Sequence, residues 1–317
     1  MGFTGEIITV GLAPAWDVTI RAKGLDWGQH KQVDSVEIKP AGKALNICRA
    51  LVLQGQSSIA AGLWGRQDFE QMMEFLRPRQ GPLKVMMTVV DGKTRQNITV
   101  IDTLNNREIH LRSNSKLASR DALKELKIDL GTIVNKNSVC VFSGSMPGEN
   151  FFGDVVAIIK TCQQSGAKIV LDTSGAALRE IVKAGFIWLI KPNVQELGSL
   201  LGEQVADKPA SLVKASRELL EKVEIVLISR GEKGAVTVTK KEAWQGRCIG
   251  RRKVLSTVGC GDYLLAGFLK GLKDSPDAGS ALEVAIKVAT AKAWGWAETK
   301  NWLEVQRKIK VQLSFIR

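Results

Sequence analysis

The sequence predicts an α/β protein: a mostly parallel central sheet, helices on both faces, and a small β-rich lid. Three observations carry this. Short β-branched runs alternate with amphipathic stretches along most of the 317 residues. Several of those amphipathic stretches end in glycine, a common helix stop. Two regions, about 17–40 and 85–112, break the rhythm with alternating extended segments and no clear helix between them. Strand–helix alternation implies βαβ units, a parallel sheet and covering helices.

The elements follow in order. EIITVGLAP (6–14) reads as a strand, and VDSVEIKP in the first irregular region as lid. GKALNICRALVLQG has apolar residues at three-to-four spacing and reads as a helix leading to strand SSIAAGLWG (57–65). RQNITVIDTL belongs to the second irregular region. NSVCVFSGS (137–145), helix FFGDVVAIIKTCQQSG, strand AKIVLDTSG (167–175) and helix GAALREIVKAG continue the alternation. Strand FIWLIKPN (186–193), helix SLVKASRELLEKV, and strands EIVLISRG (224–231) and GAVTVTK (234–240) complete it, before a helix that opens near 260. No tandem repeat or low-complexity linker appears. The lid is built from insertions, so residues 1–317 read as one domain.

Composition narrows the function. No apolar run reaches bilayer length, and the start has neither a basic n-region with an apolar h-region nor Ser or Thr at position 6, where Glu6 stands. The expectation is a cytoplasmic protein with no membrane partner. Five scattered cysteines without CxxC, and only two histidines, give little to a disulfide framework, a zinc site or a Ser-His-Asp triad. The net charge of +13 is spread along the chain, densest at Arg247, Arg251, Arg252 and Lys253. No nucleic-acid-binding module accompanies it, so no nucleic-acid partner is expected, and anionic small substrates fit the same sign of charge.

In an open α/β sheet, ligands bind beyond the carboxyl ends of the strands. The polar groups expected there are Asp17, Gly42-Lys43 with Asn46, Ser143-Gly144-Ser145, Asp172-Thr173-Ser174-Gly175, Lys191-Pro192-Asn193, Ser229-Arg230-Gly231 and Gly259-Cys260-Gly261-Asp262. In the last, glycines before a helix let backbone N–H groups converge on an anion. Asp262 behind them is either a helix cap or a carboxylate placed to take an alcohol proton. There is no GxxxxGK[ST], and Leu264 stands where a dinucleotide GxGxxG needs its third glycine.

These residues resemble the PfkB, or ribokinase-like, carbohydrate kinases. GCGDYLLAGFLKGL is similar to the GAGDxxxAGF signature, LAPAWD (12–17) to NPAxD, and PAGKALNICRAL (40–51) to PGGKGxNVARxL. TRQNITV, FSGSMPG, LDTSGAALRE, LIKPNVQEL and ISRGEKGAV follow in the family's order, nearest to its 1-phosphofructokinase and tagatose-6-phosphate kinase branch. The resemblance implies a ribokinase-like three-layer α/β/α fold, ATP and Mg2+, and a homodimer paired through the lids. It implies Asp262 as general base and the amides of Gly259, Cys260 and Gly261 as the anion hole. Asp17, Gly42, Asn46 and Ser143 would meet the sugar, and Lys43 and Arg95 its existing phosphate, with His110 and Arg112 as further lid contacts. Lys191, Asn193, Ser229, Gly231 and Gly234 would follow the nucleotide. Asn193 and Glu196 would organise Mg2+ through water, with a helix cap as the alternative reading. The implied reaction converts fructose 1-phosphate to fructose 1,6-bisphosphate. Tagatose 6-phosphate and fructose 6-phosphate are the alternative substrates, and a non-catalytic sugar-phosphate sensor is the reading from another class.

The chain also departs from the pattern. Ala41 and Ala44 replace glycines, so a methyl could crowd the sugar. Cys260 replaces Ala, Tyr263 a small residue, and Arg230 a hydrophobe, which offers a further nucleotide contact. Residues 291–305, AKAWGWAETKNWLEV, depart from the family's C-terminal pattern near the adenine.

Overall fold

A computed structural model describes residues 1–77, 83–250 and 252–316. Fourteen strands and ten α-helices are assigned among them. The first half runs β1 (Ile7–Gly11), β2 (Ala15–Ala22), β3 (Ser35–Ala41), α1 (Lys43–Leu53), β4 (Ser58–Gly65), α2 (Phe69–Leu76), β5 (Leu83–Val90), β6 (Arg95–Asp102), β7 (Arg107–Arg112), α3 (Arg120–Ile133) and β8 (Val139–Ser143). The second half runs α4 (Phe152–Gln164), β9 (Lys168–Asp172), α5 (Gly175–Lys183), β10 (Ile187–Ile190), α6 (Val194–Leu201), α7 (Pro209–Leu219), β11 (Val223–Ser229), β12 (Ala235–Thr239), β13 (Ala243–Ile249), α8 (Cys260–Asp274), α9 (Ala278–Ala293), α10 (Trp302–Lys308) and β14 (Lys310–Phe315).

Ten strands form the main sheet in the order β14-β13-β12-β11-β10-β9-β8-β1-β4-β5. From β11 to β5 every pairing is parallel, and β12, β13 and β14 add antiparallel strands at one side. The parallel strands are apolar on both faces, as helix-covered strands must be; every residue of β4, β8 and β10 is buried. One core packs α3, α4, α5, α6 and α7 on one face of the sheet. The other face carries α1, α8 and α9. The chain winds outward from β1 through β4 to β5, and from β8 through β11 on the other side, so the strand order reverses between β1 and β8. That switch point is where a ligand crevice belongs.

The second sheet, β3-β2-β6-β7, is the lid. Asp68 roots it: its carboxylate accepts from Trp16 Nε1 at 2.9 Å and from Thr94 Oγ1 at 2.9 Å. Asp102 closes the far end, accepting from Gly24 N at 2.8 Å and Asn105 Nδ2 at 2.7 Å. The lid was expected from about 17–40 and 85–112. Residues 83–90 instead form β5, the edge strand of the main sheet. An edge strand with one solvated face alternates in the same way as a lid strand, which is why the pattern did not separate them. The C-terminal strand β14 carries a weak pattern for a related reason: KVQLSF is only half-buried. Among the described residues no helix is long and apolar enough to cross a membrane.

Candidate active site

Two helices open onto the crevice. The first, α1, starts directly after lid strand β3, and its N-cap Gly42 has φ 121°, a setting natural only to glycine. The second, α8, has N-cap Gly259 at φ 79°. Both helix N-termini therefore offer unpaired N–H groups and a positive dipole end to one space. Across it, Asn46 Nδ2 of α1 donates to Asp262 Oδ2 of α8 at 2.8 Å. Asp262 is 5% exposed.

Beside this pair stands a charge cluster. Lys43 Nζ lies 3.0 Å and Lys191 Nζ 3.2 Å from the same Oδ1 of Asp172, at the end of β9. Ser143 Oγ donates to the other oxygen at 3.3 Å. Lys191 also reaches the mouth of α8, where a Cβ on Gly261 would lie 3.4 Å from its Nζ. Burial pushes the Asp172 carboxyl up, but the ammonium groups of Lys191 and Lys43 outweigh it and hold it below the ordinary carboxylate value. Burial pulls Lys43 down, yet Asp172 and then Asp262 raise it overall, so it stays charged. For Asp262, burial and then the Asp172 charge prevail over the Asn46 donor and the two lysines, and its carboxyl is pushed up to about 7. A carboxylate titrating near neutrality, next to two cations and a glycine-opened helix end, has the parts to take a hydroxyl proton while an anionic group is transferred.

The nucleotide-side candidates gather at neighbouring strand ends. Asn193 and Ser229 form an isolated bridge, and Ser229 N–H donates to Pro192 O at 3.0 Å. Asn193 and Glu196 make a complete capping box: Glu196 N–H donates to Asn193 Oδ1 and Asn193 N–H to Glu196 Oε2, both at 2.8 Å. Gly231, at φ 59°, faces open space. Gly234 has a packing reason of its own, because a Cβ there would sit 2.0 Å from Gly246 O. Arg230 does not reach outward. Its Nε donates to Asp207 Oδ1 at 2.6 Å, and its side chain is 8% exposed.

On the lid, register aligns Lys39, Asp17, Asn97 and Arg112 in one row across the four strands. Asn97 Nδ2 donates to Asp17 Oδ1 at 3.0 Å. His110 bonds Thr99 Oγ1 at 3.0 Å and lies 3.2 Å from Glu108. Arg95 gives its donors to carbonyls: Ala13 O at 3.1 Å, Pro14 O at 3.3 Å and Ser113 O at 2.6 Å. Burial, and then the neighbouring Arg112 guanidinium, hold Arg95 below its ordinary value. These two arginines, with Lys93 and Lys116, line an open cavity of about 580 Å³. Lys43, expected with Arg95, stands instead with Lys191 on Asp172.

The departures resolve locally. The Ala44 methyl packs toward β1, 3.2 Å from where a Gly11 Cβ would be, so it does not crowd the crevice. Ala41 is buried in register with Ala15. Tyr263 packs into the core beneath α1 and α9, with Lys292 Nζ 5.4 Å from its ring centroid. Burial raises the Cys260 thiol, with Lys292 pulling the other way, so thiolate is disfavoured. Arg252 lies over Trp294 and Trp296, 5.8 Å and 4.9 Å from their ring centroids, and Arg247 Nε donates to Gln312 at 3.0 Å. Arg251, of the same basic cluster, lies outside the described residues. Sequence reasoning sets Asp172 among the crevice's polar groups but gives it no specific part. Its signal was an acid closing the apolar run 169–171 of strand KIVLD.

Known proteins share this architecture. The model of the pfkB family carbohydrate kinases matches residues 5–294. A 1-phosphofructokinase of Borreliella burgdorferi is 30% identical over 315 residues, 98% of this chain and 97% of that one. A 1-phosphofructokinase of Haemophilus influenzae is 29% identical over 294 residues, 90% of each chain. Among solved structures, phosphofructokinase-2 of Escherichia coli in its tetrameric inhibited form superposes with a TM-score of 0.86 at 23% identity, covering 97% of this chain and 98% of that one.

Proposed function

The chain belongs to the pfkB family of carbohydrate kinases, a phosphofructokinase-like sugar kinase, and from that premise we propose that its reaction converts fructose 1-phosphate and ATP to fructose 1,6-bisphosphate and ADP. One observation carries the reading: buried Asp262, held by Asn46 at the glycine-opened mouth of α8, stands beside the Lys43–Asp172–Lys191 cluster. The two relatives named 1-phosphofructokinase support the substrate.

In this reading Asp17, Gly42 and Asn46 hold the sugar hydroxyls. Arg112, in the row of Asp17, with Arg95 beside it, takes the resident phosphate, where guanidinium–phosphate bonds are strong. Asp262 accepts the proton of the 6-hydroxyl as that oxygen attacks the γ-phosphorus. The bond from the γ-phosphorus to the β,γ-bridging oxygen breaks, and ADP leaves. Gly261 and its neighbours in the first turn of α8, with Lys43 and Lys191, face the charge on the transferring group. Ser229 and Gly231 lie along the nucleotide. Lid closure keeps water from competing with the sugar.

The donor set fits Mg2+ held mainly by nucleotide phosphates and water. Among the described residues no cluster of three or more His, Cys, Asp or Glu could cage a metal. Glu196 spends one oxygen on its capping box and keeps the other for a metal-bound water. When bound, Mg2+ neutralises phosphate charge and aligns the leaving group.

A second copy of this chain is proposed to cover the lid. Strand alternation places Val36 and Ile38, Val18 and Ile20, Ile98 and Val100, and Ile109 and Leu111 on one lid face. Its outer strands leave Ile38 and Ile109 41% and 49% exposed, an apolar face that suits self-pairing.

The test is ADP release with fructose 1-phosphate, fructose 6-phosphate, tagatose 6-phosphate and unphosphorylated sugars. Turnover should favour fructose 1-phosphate and fall by about 10²–10⁴-fold in Asp262→Asn, which should still bind ATP. A folded protein that binds ATP but turns over none of these sugars would contradict the proposal.

A further inference from the structure

Asn46 does not hold Asp262 unaided. One turn further along α1, Arg49 Nη1 donates to Asn46 Oδ1 at 3.2 Å, and Asn46 Nδ2 donates onward to Asp262 Oδ2 at 2.8 Å. The other end of the guanidinium donates to Pro40 O, the carbonyl just before the last residue of lid strand β3. We infer that Arg49 is a positioning residue for the base, fixing the Asn46 amide toward Asp262 and tying that orientation to the root of the lid.

The physical reason is donor polarity. A guanidinium has donors only, and an amide has one acceptor oxygen and one NH2. Arg49 therefore dictates that the oxygen of Asn46 faces it and that the NH2 faces Asp262. Without Arg49 the amide can turn, its oxygen then accepting from the O–H of protonated Asp262 and favouring the form that cannot take a proton. A hydrogen bond donated to the ionised carboxylate favours that form, the one able to accept a proton. The other charges around Asp262 come from Asp172 on β9, Lys43 on α1 and Lys191 after β10. Cys260 on α8 and Lys292 on α9 also lie close by, the latter with its Cε 3.8 Å from where a Gly259 Cβ would be. These stay in place when Arg49 is removed. Because Pro40 pairs with Trp16 in the lid, the same guanidinium reports the position of the lid root to the base.

This inference rests on Asp262 being the base, and the experiment separates the two. Steady-state kinetics of the full chain with ATP and fructose 1-phosphate would compare wild type with Arg49→Met, Arg49→Lys, Asn46→Ala and Arg49→Met/Asn46→Ala. Arg49→Met should lower kcat about 10- to 100-fold and leave the ATP KM within about 2-fold. The acidic limb of its kcat–pH profile should move to higher pH, and Arg49→Lys, which keeps a donor, should recover part of the loss. On the Asn46→Ala background, removing Arg49 should change kcat by less than about 2-fold, because both substitutions break one relay. A kcat within 2-fold of wild type in Arg49→Met, or losses that multiply in the double variant, would overturn it. A 13C NMR titration of the Asp262 carboxyl gives a readout independent of turnover. It should move upward in Arg49→Met, or in Arg49→Lys should the Met variant not fold, and an unmoved titration overturns the inference. A wild type without turnover whose Asp262 titration nevertheless responds to Arg49 would sink the kinase reading and keep the relay.

Discussion

As the proposed base, Asp262 poses the central problem at the scale of single residues: a base must be charged, and burial resists charge. Its carboxyl is pushed up to about 7, so in the free enzyme it is protonated in mild acid and ionised above neutrality. kcat/KM should therefore rise through about pH 7 and flatten above it, an acidic limb that a pH–rate profile would show. The stability sign is the opposite. Between the ordinary carboxylate range and pH 7 the folded chain holds a proton that the unfolded chain has lost, so this group's contribution declines as pH rises. Asp262→Asn should then raise Tm by roughly 2 °C or more at pH 8 and by much less near pH 4, read by calorimetry. Asp262 was legible from sequence because glycines flank it at a helix mouth. Asp172 was legible as a crevice group, but its pairing with two lysines far away along the chain was not, and neither was Arg49, whose work passes through another side chain. Asn193 and Glu196 show one spacing serving two readings, because the box that caps α6 uses only one of the two Glu196 carboxylate oxygens.

Elements fix where those residues stand. The AGFLKG stretch that follows Asp262 lets α8 lie against α9. A Cβ on Gly271 would come within 2.5 Å of Ala281 Cα, and one on Gly267 within 2.7 Å of Ala285 Cα. Gly271→Ala should cost about 1–3 kcal/mol despite alanine's better helix propensity, since backbone must move. Gly131→Ala, in the last turn of α3 with open space around it, should instead gain up to about 0.5–1 kcal/mol. Chemical denaturation of both variants would check the opposite signs. The inner parallel strands were legible because burial on both faces leaves apolar runs, and α1, α4, α5, α7 and α8 by their spacing, whereas α2, α3, α6, α9 and α10 went unread. Edge strands β5 and β14, each with a solvated face, carry weaker patterns, and the first of them imitated the lid.

The whole molecule is a wound sheet with a second sheet rooted at its ligand crevice. Alternation divides the lid into a polar face, with the row Lys39, Asp17, Asn97 and Arg112, and an apolar face. A single chain leaves the apolar face wet, and pairing with a second copy would bury it. Ile38→Lys with Ile109→Lys should convert a dimer to monomer in size-exclusion chromatography with light scattering, because like charges would be brought together on the buried face. A monomeric wild type would contradict the pairing. The most direct measurement follows the transferred group itself, by 31P NMR of fructose 1-phosphate and MgATP incubated with the protein. The account predicts a second sugar phosphate resonance, on the 6-oxygen, growing as the γ-phosphate signal of ATP declines, and neither change with Asp262→Asn. A declining γ-phosphate signal matched only by inorganic phosphate, or a phosphorylated product formed equally well by Asp262→Asn, would contradict it.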